Sequence, residues 1–218
     1  MKSITVRSGF TGLWLLGSLV LTALLGELTQ ALDIDGENIN NTVSVALLAV
    51  LFGLPAARWG SAMAHLHKLE SPRRYGWAAG LAYGVTIGLC MEYLNHIEQT
   101  IQILMMRTDL EIHQLYTLLF VGVTAVSALV TGLALGAAAR DARLALRLGL
   151  WGGLGAGLAF FLVTLVMDYG LGYQVGAPGA EQRATMITVT LVGMVVAAFF
   201  GSAAVGRALA GRAPEAAV

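Results

Sequence analysis

Six stretches of the chain carry no charged residue: 8–26, 38–57, 75–91, 112–139, 148–167 and 184–206. A helix needs about 20 apolar residues to cross a hydrocarbon core roughly 30 Å thick. The stretches lack the two-residue alternation of barrel strands, and lipid cannot satisfy an open backbone. They predict six transmembrane helices, at about 8–32, 41–64, 74–96, 114–139, 147–171 and 184–207. The expected fold is all-α: a polytopic membrane protein with a single six-helix domain over 1–212 and a frayed cytoplasmic tail at 213–218.

Composition narrows the class. Of 218 residues, 57% are hydrophobic and only 12% charged, where a soluble domain has about 25% charged residues. The 13 basic and 13 acidic side chains cancel. A soluble enzyme, a disordered chain and a charge-driven nucleic-acid binder are excluded. Cys90 is the single cysteine, so there is no disulfide scaffold, and it reads as a small packing residue.

The few charges set an orientation. Lys2, Arg7, Arg58, Lys68, Arg73, Arg74, Arg140, Arg143, Arg147, Arg207 and Arg212 fall on one side of a six-span path; only Arg107 and Arg183 fall on the other. The positive-inside rule then predicts both termini in the cytoplasm. Glu70, Asp141 and Glu215 share that side, and the other ten acids lie toward the outside. The start of the chain resembles a signal peptide, with Thr29-Gln30-Ala31 as a small-x-small site. The apolar run is longer than a signal core and Glu27 precedes the site, so a retained first helix is expected. Short loops and an Ala-, Gly-, Leu- and Val-rich alphabet point to a prokaryotic inner (plasma) membrane.

Between spans 3 and 4, residues 96–113 read as a short interfacial helix or an extension of span 3, from the spacing of Ile97, Ile101, Leu104 and Met105. The segment 172–183 is turn-rich, and Ser71-Pro72 separates spans 2 and 3. A weak repeat links Leu89-x-Met91-Glu92-Tyr93 to Leu165-x-Met167-Asp168-Tyr169, and Thr117–Gly122 to Thr188–Gly193. The chain thus reads as two or three related helical hairpins.

Two rows of glycine stand out. Gly76, Gly80, Gly84 and Gly88 recur every four residues in span 3, and Gly149, Gly153 and Gly157 do so in span 5. Residues four apart share a helix face, and small residues there let backbones approach closely. Each glycine costs about 1 kcal/mol against alanine in a helix in water, so close packing must repay the row. The rows suit another span of the chain, a homo-oligomer or a larger membrane complex, or a route for a small solute past the glycine face.

Acids within spans are costly and often functional. Glu27, Glu92 and Asp168 all sit toward the outer ends of odd-numbered spans. With His96, one helical turn beyond Glu92, they form the expected cation- or proton-binding set in an outward-facing pocket. Glu92, His96, Glu111 and His113 are also an N/O donor set for a divalent metal; otherwise no cofactor is expected. Haem would need histidines from two helices at one depth. His65 and His67 lie two apart and read as interfacial polar residues. Pro55 is expected to kink span 2, and Arg58 beyond it to snorkel to the surface. Tyr75, Trp59, Trp77 and Trp151 fit a cytoplasmic aromatic belt, and Tyr93, Tyr169 and Tyr173 an outer one.

The sequence has no nucleophile elbow, zinc-protease motif or phosphate loop. The leading expectation is a permease or channel for a proton, a cation or a small solute. A non-catalytic subunit or assembly factor of a membrane complex is the alternative, and a metal-dependent or redox membrane enzyme the third.

Overall fold

The computed structural model describes residues 2–18, 20–21, 41–95, 112–170 and 180–211. They form six α-helices: α1 (Lys2–Thr11), α2 (Asn41–Leu66), α3 (Pro72–Asn95), α4 (Ile112–Ala138), α5 (Ala142–Leu165) and α6 (Ala180–Ala210). A 3-10 turn, Gly12–Leu16, follows α1, and a π-helical turn, Val166–Gly170, follows α5. Four segments are long and apolar enough to cross a membrane: Val45–Leu66, Thr117–Ala138, Ala142–Leu165 and Thr188–Ala210. At 24 residues α3 has the length, but its glycines and Tyr75, Trp77 and Tyr83 dilute its apolar character. Most of the expected first span, the interfacial segment at 96–111 and the tail at 213–218 lie outside the described residues.

The helices outrun the charge-free stretches. The absence of charge predicts the fifth span from 147, yet α5 starts at Ala142 and carries Arg143 and Arg147 in its first turns. The cause is a cap: Asp141 Oδ1 accepts from the Leu144 N–H at 2.9 Å, satisfying a donor left free at the helix start. Absence of charge marks the hydrocarbon layer, whereas the helix continues into the headgroup zone.

The two short turns share one construction. After α2, the Leu69 N–H donates to Ala64 O at 2.8 Å and the Lys68 N–H to His65 O at 3.2 Å. After α4, the Asp141 N–H donates to Gly136 O at 3.2 Å and the Arg140 N–H to Ala137 O at 2.9 Å. Lys68 (φ 54°) and Arg140 (φ 56°) take the left-handed conformation. This is the Schellman ending, usually built on glycine. Pro72 occupies the first position of α3, where its missing N–H costs nothing.

Helices adjacent in sequence pack side by side, and α6 returns to pack against α1 and its 3-10 turn. The six elements therefore form a ring in chain order. The start of α1, the α2–α3 turn, the α4–α5 turn and the end of α6 gather at one end. At that end Ser8 of α1 meets both His67 and Gly206. Arg7, Lys68, Arg73, Arg74, Arg140, Arg143, Arg147 and Arg207 belong to these segments and make this the basic end of the ring.

The glycine rows face neighbouring helices of the same chain. A Cβ on Gly80 would lie 2.8 Å from Gly53 O and 2.9 Å from Ala57 Cβ. One hairpin later, a Cβ on Gly153 would lie 3.1 Å from Ala125 O and 3.1 Å from Leu129 Cβ. Toward the basic end, Gly76 sits over Ala57 O and Ser61, and Gly149 over Leu129 O and Leu133. Thus α2–α3 and α4–α5 pack in the same register. The pair α6–α1, not joined by a short turn, has a similar approach: Gly12 sits over Ala198 O and Ser202. Gly84 and Gly88 extend the α2 contact to Ala49 and Val45, and Gly157 meets Ala125.

The aromatic belt needs correction. Trp77 (71% exposed) and Trp151 (54%) do lie on the outer surface of the ring. Trp59 and Tyr75 are only 4% and 6% exposed and belong to the core. Gly60 seats the Tyr75 backbone directly against α2, and both side chains lie in one buried cluster with Met63, Leu135 and Leu148. The helix α2 runs unbroken through Pro55, and Arg58 lies 5.4 Å over the Trp14 ring.

Candidate functional site

Helices α2 to α6 and the segment that follows α1, with Leu15, Leu16 and Ser18, line one cavity of about 90 Å³ inside the ring. It lies at mid-depth, with Phe52, Ile87, Phe120 and Met194 toward the far end and Trp59, Thr131, Ser202 and Val205 toward the basic end. Small residues on α5 and α6, among them Gly152, Ala156, Ala197 and Gly201, provide the space. No charged side chain is among the described lining residues.

Its polar groups come from different helices. Ser18 and Ser202 are each 2% exposed, as is Thr131. Ser18 Oγ donates to Leu15 O at 2.6 Å and Thr131 Oγ1 to Ser127 O at 2.6 Å. Helical hydroxyls commonly spend their hydrogen this way. The others behave differently. Trp59 and Ser202 are among the lining residues, and their Nε1 and Oγ are buried with no hydrogen-bond partner among the described residues. Ser127 Oγ, in the α4 turn next to Thr131, is a third such group. A buried polar group left unpaired costs about 1–3 kcal/mol, and such groups are few in native proteins. An unpaired indole N–H and an unpaired hydroxyl thus lie within the cavity's wall, set among aromatic and aliphatic side chains.

Size limits the guest. A cavity of about 150 Å³ holds benzene, so this one suits about four heavy atoms, or a few waters. Packing closes it toward the basic end, where Met63, Leu135, Leu148, Val205 and Leu209 form a continuous buried cluster. Toward the far end Phe120 stacks on Phe160, with centroids 6.5 Å apart and planes 25° from parallel. Phe52 and Tyr83 flank another wall at 6.5 Å.

The expected acidic site is elsewhere. Glu27, His96 and Glu111 lie outside the described residues. Glu92 is in the last turn of α3, Asp168 in the π-helical turn after α5, and His113 in the first turn of α4. Counted from the matching positions Gly80 and Gly153, Glu92 and Asp168 stand about 18 and 22 Å farther along their helices. They thus share a level near the far end, to within one turn. Among the described residues no group of three His, Cys, Asp or Glu could hold a metal. Cys90 is a free, partly buried thiol.

His67 is more than an interfacial residue. Its Nε2 lies 3.0 Å from Ser8 Oγ, and Ser8 Oγ donates to Ile4 O at 2.8 Å. With that hydrogen committed, Nε2–H is the donor to Ser8. Burial lowers the imidazole pKa below its usual 6.5, because desolvation penalises the charged form.

No known protein family, curated protein or solved structure matches the chain.

Proposed function

We propose that the chain is a six-span, permease-like membrane protein that passes a small uncharged solute through its ring of helices, with both termini in the cytoplasm. The observation that carries this reading is the neutral cavity whose wall holds two unpaired buried polar groups, Trp59 Nε1 and Ser202 Oγ. A cation would find no charged side chain among the described lining residues. A compact solute with one acceptor and one hydroxyl or amide group would satisfy both protein groups and offset the cost of burying them.

Three related hairpins are the proposed scaffold: α2–α3, α4–α5 and the permuted pair α6–α1. Equivalent glycine approaches in all three support it. Entering from one side, such hairpins are related by an axis along the membrane normal. In this reading Glu92 and Asp168, with Glu27 and His96, take up the proton or cation that couples or gates uptake at the far end. The π-helical turn that carries Asp168 supports a special role there, since such turns are frequent at functional sites.

Proteoliposomes under inward gradients of ethylene glycol, urea or formamide test the reading by light scattering. The expected result is faster solute influx than in protein-free vesicles, lost in Ala197→Leu, which fills the cavity, with gel filtration confirming that the variant is folded. Influx equal to that of empty vesicles for all three solutes would overturn it. If Glu92→Gln with Asp168→Asn leaves influx and its pH dependence unchanged, the acids have no part in it.

A further inference from the structure

The outer face of the ring holds a second feature, a groove between α5 and α6 that Thr5 and Val6 of α1 also border. It encloses about 860 Å³ and its walls are apolar except at one end. Along α5 the exposed side chains Trp151, Leu154, Leu158, Leu162 and Val166 follow one another at three- and four-residue steps. From Trp151 to Val166 the helix rises about 22 Å, which exceeds the roughly 15 Å depth of one lipid leaflet.

At the basic end, beside the groove, lies a hollow of about 290 Å³ lined by Arg147, Trp151, Ala204, Arg207 and Ala208. Trp151, Ala204 and Arg207 line both spaces, so the two adjoin. Arg147 comes from α5 and Arg207 from α6. The Arg147 guanidinium rests against Gly211, where α6 ends. Gly211 has no side chain to displace it; a Cβ there would lie 2.7 Å from an Arg147 Nη.

We infer that this groove is a binding site for one anionic phospholipid, its phosphate between Arg147 and Arg207 and an acyl chain along Leu154, Leu158 and Leu162. Two guanidiniums from different helices make a forked, doubly charged anion seat. Trp151, between the charged hollow and the apolar channel, matches the headgroup–acyl boundary that indole rings prefer. Basic pockets between membrane helices commonly select anionic headgroups. The inference rests on the membrane-spanning reading but not on the solute reading of the cavity.

Native mass spectrometry of the purified protein tests it, after reconstitution in equimolar phosphatidylglycerol and phosphatidylcholine. Each arginine is worth about fivefold in affinity for the anionic lipid, and the pair about thirtyfold. The wild type should therefore retain phosphatidylglycerol strongly over phosphatidylcholine. Arg147→Gln with Arg207→Gln should abolish the preference. The control Arg73→Gln with Arg74→Gln removes the same charge at the start of α3 and should keep it. Equal retention of both lipids by the wild type overturns the site, as does a preference that survives the first pair or disappears in the control. Failure to partition into either lipid would instead sink the membrane reading itself.

Discussion

Ser8 and His67 join the first helix to the end of the second, with Ser8 Oγ 3.0 Å from His67 Nε2. The contact sits beside Gly206, so three elements meet at one imidazole. Because burial lowers the His67 pKa, the unfolded chain binds the proton more readily than the folded one. Its contribution to stability is complete above pH 6.5 and declines as the pH falls below that value. Thermal unfolding in detergent should show a lower midpoint at pH 5 than at pH 8. His67→Gln, which keeps a donor but cannot titrate, should flatten the difference. An unchanged pH dependence in the variant would assign the effect to other groups.

The glycines divide into two classes with opposite expected outcomes. Gly80→Val puts a branched side chain where a Cβ alone comes within 2.8 Å of Gly53 O. The hairpin must spread, at a cost of about 1–3 kcal/mol. Gly122 is exposed, and a Cβ there would meet nothing within 4 Å. Gly122→Ala should stabilise by up to about 1 kcal/mol through helix propensity. Detergent denaturation of both variants separates the classes by sign.

The α4–α5 turn concentrates two effects in adjacent residues. Asp141→Ala removes the cap on Leu144 and should cost about 1 kcal/mol. Arg140→Gly relieves a left-handed backbone at a residue with a side chain and should gain about 0.5–1 kcal/mol. The gain is expected only in stability; the lost charge should slightly weaken the insertion bias. Unfolding midpoints of the two single variants, which should move in opposite directions, check this.

In the cavity, Ser202→Ala deletes a hydroxyl that has no partner among the described residues. Unlike most buried polar deletions, it should leave stability unchanged or slightly raised. Trp59→Phe keeps an aromatic wall and removes the unpaired N–H, but loses ring volume, so a cost of about 1–2 kcal/mol is expected. If the cavity binds solute, both variants should lower affinity. Calorimetric unfolding together with influx assays reads the two effects separately.

The hairpin helices were legible because lipid imposes a length and forbids charge. Helix α4 ends where the basic residues begin, whereas α2 runs on past Arg58 to Leu66. The start of α5 was not legible from charge, because Arg143 and Arg147 are helical residues outside the hydrocarbon; the signal was Asp141, a capping residue. Packing partners were half legible. The Gly76–Gly88 row announces a close contact, but only the structure places α2 under it.

The cavity was not legible at all. Carboxylates in spans attract notice because they are costly, and so Glu92 and Asp168 stood out. Ser18, Thr124, Thr131 and Ser202 are cheap in a helix, since each can return its hydrogen to its own backbone. Nothing in their spacing shows that separate elements bring them to one depth. Trp59 misled for a related reason. A tryptophan near a span end usually marks the lipid interface, whereas Trp59 packs inside the ring against helices distant in sequence.

The contact between Gly12 and Ala198 closes the ring without a connecting loop. Two neighbouring pairs are held together both by a turn and by a glycine approach, and this pair by the approach alone. The cyclic order of the helices is thus a property of their surfaces. A chain opened at the α4–α5 turn, with α6 linked to α1 at the basic end, would keep every pair of neighbours. Circular permutation should therefore leave the ring and its cavity intact.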